Sequence, residues 1–143
     1  MSISSLIHNE TLLGEIGSQL STLTPIGITI LPPQSPNPYG VVSLLSNSSS
    51  YNQVGMVDIT IVLSITNFTN SDAFIPIAEI DSSSAYPNQQ ITAIASCLNT
   101  DLLQNFCMSN IAYDGTISLF NVVNYPSSPT PITISIHFTY LRN

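Results

Sequence analysis

Charge is the scarcest commodity in this 143-residue chain. Only 6% of its residues are Asp, Glu, Lys or Arg, against about a quarter in an ordinary soluble protein. Lysine is absent and Arg142 is the single arginine, so the net charge is −7. Nucleic-acid binding requires Lys and Arg to displace phosphate counterions, which excludes that class of partner. The same argument disfavours an anionic membrane surface. No apolar run approaches the roughly 20 residues of a spanning helix, so membrane insertion is not expected. The N-terminus, MSISSLIHNE, has neither a basic n-region nor a continuous apolar h-region and does not read as a signal peptide. A chain of this kind reaches the outside of a cell by assembly into a particle or by lysis.

Tryptophan is also absent, and there are only two cysteines and two histidines. Cys97 and Cys107 read as buried thiols, with a disulfide left open if adjacent strands bring them together. His8 and His137 lack the Gly-x-Ser-x-Gly elbow that would position a serine nucleophile beside one of them. The cysteines and histidines show no zinc-site spacing. Asp72, Glu79, Asp81, Asp101 and Asp114 do not form an Asp-x-Asp-x-Asp-Gly calcium loop. No catalytic residue, cofactor or metal site is therefore assigned, and the chain reads as a non-enzyme. Sequons at Asn9, Asn47 and Asn67 are expected to go unused without a leader.

What the chain does have is alternation. Val57, Ile59, Ile61, Leu63 and Ile65 share one face of Met56 to Asn67, and Ile132, Ile134, Ile136, Phe138 and Tyr140 share one face of the last run. That is the period of a half-buried strand. Asp114-Gly115 between two β-rich runs predicts a tight two-residue hairpin turn. Further strands are expected at Gly27 to Leu31, Val41 to Leu45, Ala73 to Ile80, Gln90 to Leu98 and Phe106 to Tyr113. Pro76 marks its strand as an edge or bulged one. Pro- and Ser-rich loops separate these runs. About eight antiparallel strands in two packed sheets predict an all-β fold, an eight-stranded antiparallel jelly-roll sandwich over residues 26–143.

Residues 1–25 differ in period. Leu6, Asn9, Leu13, Ile16, Leu20 and Leu23 fall at alternating spacings of three and four, an a/d seam ended by Pro25 and Gly27. This predicts a short N-terminal α-helix. It either packs on its own domain or joins two other copies as a trimeric coiled coil.

The strand series MVDITIVLSIT (56–66), IPIAEI (75–80), QITAIAS (90–96), IAYDGTISL (111–119) and ISIHFTYL (134–141) resembles the head domains of bacteriophage fibre and baseplate proteins. Those are trimeric jelly rolls of the tumour necrosis factor and complement globular-head type. Ala85-Tyr86-Pro87 lacks the Arg that the corresponding loop often carries. The resemblance implies a homotrimer on a virion, assembled in the host cytoplasm with other virion proteins. Such a protein serves as fibre head, spike or capsid decoration, with a host glycan or receptor as a further partner. Tyr39, Tyr51, Tyr86 and Tyr125, in or beside polar loops, are the candidate partner-binding residues. A lectin-like jelly-roll module outside any virus is the alternative, and a cupin-like enzyme is argued against by the scattered histidines.

Overall fold

The computed structural model describes residues 22–32, 39–68, 73–98, 106–123 and 131–142. Its centre is an antiparallel pair, β5 (Met56–Ile65) with β10 (Ile132–Leu141), in unbroken register from Met56↔Leu141 to Ile65↔Ile132. Alternation puts Val57, Ile59, Ile61, Leu63 and Ile65 on the inner face opposite Ile132, Ile134, Ile136 and Phe138, and all nine are buried. Each such side chain contributes about 1.5–3 kcal/mol on leaving water. Around this pair lie eight further strands among the described residues: β1 (Leu23–Pro25), β2 (Ile28–Ile30), β3 (Val42–Asn47), β4 (Ser50–Asn52), β6 (Ile75–Ile80), β7 (Ile91–Cys97), β8 (Phe106–Ile111) and β9 (Thr116–Val123). All pairings are antiparallel and follow one path, β1-β4-β5-β10-β7-β8-β9-β6-β2, with β3 also on β5.

Two details make the sheet curl. First, β3 and β4 form one bent strand on the same side of β5. Where the ladder breaks between them, the Ser48 amide donates to Thr60 O (3.0 Å) and the Thr60 amide donates to Ser49 Oγ (3.0 Å). A serine hydroxyl thus replaces a backbone acceptor at the bend. Second, β1 and β2 are separated only by Ile26 and Gly27, yet β1 pairs with β4 at one end of the path and β2 with β6 at the other. A single stretch of chain therefore ties the two ends of the sheet together. The switch is pinned by Ile26 N donating to Ser49 O (2.9 Å), Asn47 Nδ2 donating to Ile26 O (2.8 Å) and Asp81 N donating to Gly27 O (3.0 Å). A Cβ at Gly27 would meet the Asp81 carboxylate, so any other residue here obliges that side chain to swing away from its bond with Thr29.

Strands β6 to β9 form a Greek key, in the order β7-β8-β9-β6. The register of β6 on β9 shifts between Pro76 and Ala78, the bulge expected from a proline inside a strand. The β8–β9 hairpin differs in detail from a two-residue turn. Gly115 N donates to Ala112 O and Ala112 N to Thr116 O, and only Gly115 has positive φ (84°). This is a three-residue loop closed by a glycine bulge.

The all-β expectation therefore stands, while the eight-strand count is corrected to ten hydrogen-bonded strands among the described residues, nine on one path and β3 beside β5. The two additional strands, β1 and β4, are three residues long and too short to carry a period. β1 also corrects the end of the expected helix: Leu23 and Pro25 are strand residues, because pairing with β4 satisfies their backbone. The rest of that helix, within residues 1–21, lies outside the described residues.

Candidate functional site

The outer face of β5–β10 carries a compact polar cluster. Cross-strand pairing sets Asp58 opposite Thr139 and Thr60 opposite His137. Asp58 Oδ2 meets His137 Nε2 at 2.7 Å and accepts from Thr139 Oγ1 at 3.4 Å, and Asp58 Oδ1 accepts from Thr60 Oγ1 at 2.5 Å. Partial burial pushes the Asp58 carboxyl up, but the hydrogen bonds from Thr60, His137 and Thr139 outweigh it and hold the group below its ordinary range. Thr139 Oγ1 also approaches His137 Nε2 (3.4 Å). Both partners thus meet the same ring nitrogen, and no nucleophile, base and orienting acid stand in line. The cluster clamps two strands at an exposed surface, where such pairs contribute little. Among the described residues no three His, Cys, Asp or Glu side chains converge on a metal position. Asp81 accepts from Thr29 Oγ1 (2.6 Å), and Asp114 accepts from Thr116 N (3.0 Å) in the hairpin loop. Cys97 and Cys107 are not joined by a disulfide, and burial pushes the Cys107 thiol up to about 12.

The four loop tyrosines have different settings. Tyr39 is buried and stacks on Phe68 with centroids 5.1 Å apart. Tyr51 lies beneath the Arg142 guanidinium, 4.6 Å from its ring centroid. Tyr86 packs its ring against Gly115, where a Cβ would collide with it. Tyr125 lies outside the described residues. The chain's only arginine is held at this end of the molecule: Arg142 N donates to Gly55 O (2.8 Å) and Nη1 to Ser84 O (3.2 Å). Beside it, Tyr140 Oη donates to Ala85 O (2.6 Å). Alternation placed Tyr140 on the core stripe without revealing this bond. Among the described tyrosines the exposed one is Tyr113, at the tip of the β8–β9 hairpin.

More distinctive are two apolar rows on the outside of the sheet. In the Greek key, register aligns Ile94, Met108 and Phe120 across β7, β8 and β9, and Phe74 stacks on Phe120 with centroids 4.4 Å apart. Ile94 is 67% and Phe74 52% exposed. At the other end of the sheet path, Leu23 pairs with Asn52, whose Oδ1 accepts from Met56 N, and Met56 pairs with Leu141. Leu23, Met56 and Leu141 are 60%, 46% and 64% exposed, with Val54 exposed in the intervening turn. Cross-strand partners share a face, so this row runs over β1, β4, β5 and β10. A third apolar feature, a cleft of about 340 Å³ between β2 and β3, is lined by Ile30, Leu31, Pro32, Val41, Val42 and Ile77.

Of the expected helical seam, Leu23 belongs to the second row, while Leu6, Asn9, Leu13, Ile16 and Leu20 lie outside the described residues. No protein-family model matches this sequence, and no curated protein shows significant similarity to it.

Proposed function

We propose that this protein is a non-catalytic structural component of a virus particle. It forms a homotrimer whose β domain is the head of a fibre or spike, or a capsid decoration. The observation that carries this reading is the pair of exposed apolar rows on a chain with almost no charge to keep such surfaces apart. Contiguous exposed apolar side chains mark contact surfaces, and closed symmetric assembly is the usual way to cover them without open-ended growth. The strand series that resembles trimeric phage heads supports the same reading. In it, the ten-strand curl is an elaborated jelly roll, with the β5–β10 side as one layer and the Greek key as the other. The seam Leu6, Asn9, Leu13, Ile16 and Leu20 forms a trimeric stalk that enters the head at Leu23.

The test is mass spectrometry of purified particles from the source. Recovery of the chain at structural copy number is expected, and its absence from particles contradicts the proposal. Screening the assembled protein on a glycan array then separates host attachment from decoration.

A further inference from the structure

Wherever residues 1–21 run, they must enter the sheet at the row Leu23–Asn52–Met56–Leu141. Only two residues separate Leu20 from Leu23, and three residue steps span at most about 10 Å. A helix carries its backbone within a few ångströms of its own axis. If three seams meet along one line, Leu23 of each copy is therefore held close to that line, and the row starts from there. The remaining row members follow from register: Asn52 is opposite Leu23, Met56 is bonded to Asn52, and Leu141 is opposite Met56. Neighbouring strands lie about 4.8 Å apart, so β1 to β10 spans roughly 15 Å.

We infer that this row is the contact between heads: in the homotrimer, Leu23, Val54, Met56 and Leu141 of one copy pack against a second copy at the root of the stalk. The inference rests on the trimer reading above and adds the surface that the trimer uses. The seam residues cannot cover the row themselves, because in a three-stranded stalk they are consumed on the axis. Electrostatics do not oppose the contact. Arg142, the one cation near the row, is committed to Ser84 O and the Tyr51 ring, and Asp58 is clamped by Thr60, His137 and Thr139. Four apolar side chains are too few to supply alone the roughly 1,000 Å² of a stable interface. The row therefore works as the head-side continuation of the seam.

The test uses the full chain. Leu141→Cys is placed in a Cys97→Ser background, which leaves only the buried Cys107, and is treated with a short bis-maleimide. Ile94→Cys in the same background reports on the other row. Light scattering is expected to give a trimer, with Leu141→Cys cross-linking between copies and Ile94→Cys not. Met56→Asp with Leu141→Asp is expected to weaken the trimer at least tenfold while the β circular-dichroism signal persists. A trimer without Leu141→Cys cross-links, or one unmoved by the folded double variant, overturns the head contact and leaves the trimer reading intact. A monomeric wild-type chain overturns both. Should the double variant not fold, the cross-linking result alone decides.

Discussion

The β5–β10 pair and the β6–β9 Greek key share one interior but present opposite exteriors. Inside, Leu63 and Ile134 of the pair and Ile117 and Leu119 of the Greek key are equally buried. Outside, the middle of the pair is polar, with Asp58, Thr60, His137 and Thr139 bonded to one another, whereas the Greek key shows Ile94, Met108, Phe120 and Phe74 in a row. Alternation alone guarantees the shared interior, since every second residue of a strand faces the same way. The exterior is under no such constraint. A polar outer face is finished by solvent, and on the reading proposed above the apolar one is where the molecule meets neighbours.

The largest effects should show that the two interiors are equivalent. Leu63→Ala and Leu119→Ala should each lower stability by about 2–5 kcal/mol, read from urea midpoints. A loss below about 1 kcal/mol in either region would break the symmetry. Next come the devices peculiar to each region. In the Greek key, Gly115→Val forces a β-branched residue into positive φ against the Tyr86 ring and should cost about 1–3 kcal/mol or more. On the other side, Ser49→Ala strips the Thr60 amide of its acceptor at the bend of β3–β4. The expected loss is about 1–3 kcal/mol, with Ser64→Ala as the near-neutral control.

The smallest effects lie on the exteriors. Ile94→Thr should change stability by less than about 0.5 kcal/mol while reducing binding of a hydrophobic dye. Asp58 should make stability weakly pH-dependent. Its carboxyl is held below its ordinary value of 3.8 in the fold, so its contribution is complete above that value and is lost as pH falls through the lower folded one. Asp58→Asn should flatten that acid limb by slightly lowering the midpoint above about pH 5, while leaving it nearly unchanged at the acid end, where Asp58 is already protonated. An identical acid limb in wild type and variant would remove Asp58 from the account.

Much of this architecture can be read directly from the chain. The stripes of β5 and β10, the bulge at Pro76 and the glycine turn at Gly115 all follow from local chemistry. The closure does not. β1 and β4 are three residues each, and Ser50-Tyr51-Asn52 lies in a serine-rich run with the composition of a loop; pairing with β5 makes it a strand. Leu23 continues a helical period yet pairs as a strand, which shows tertiary pairing overriding a weak local preference. The candidate surfaces were hidden for the same reason. Ile94, Met108 and Phe120 are distant in sequence, and Phe74 joins them only by stacking on Phe120; register and packing make them a row. Tyrosines in polar loops suggested binding, but burial took Tyr39, Arg142 covered Tyr51 and Gly115 received Tyr86.

The central claim is that the apolar row of Leu23, Met56 and Leu141 is covered by copies of the same chain. Sedimentation velocity of the full chain tests it most directly. A species of three times the 15.4 kDa chain mass, persisting on dilution into the low micromolar range, is predicted. A stable monomer with that row still accessible to a hydrophobic dye would contradict it.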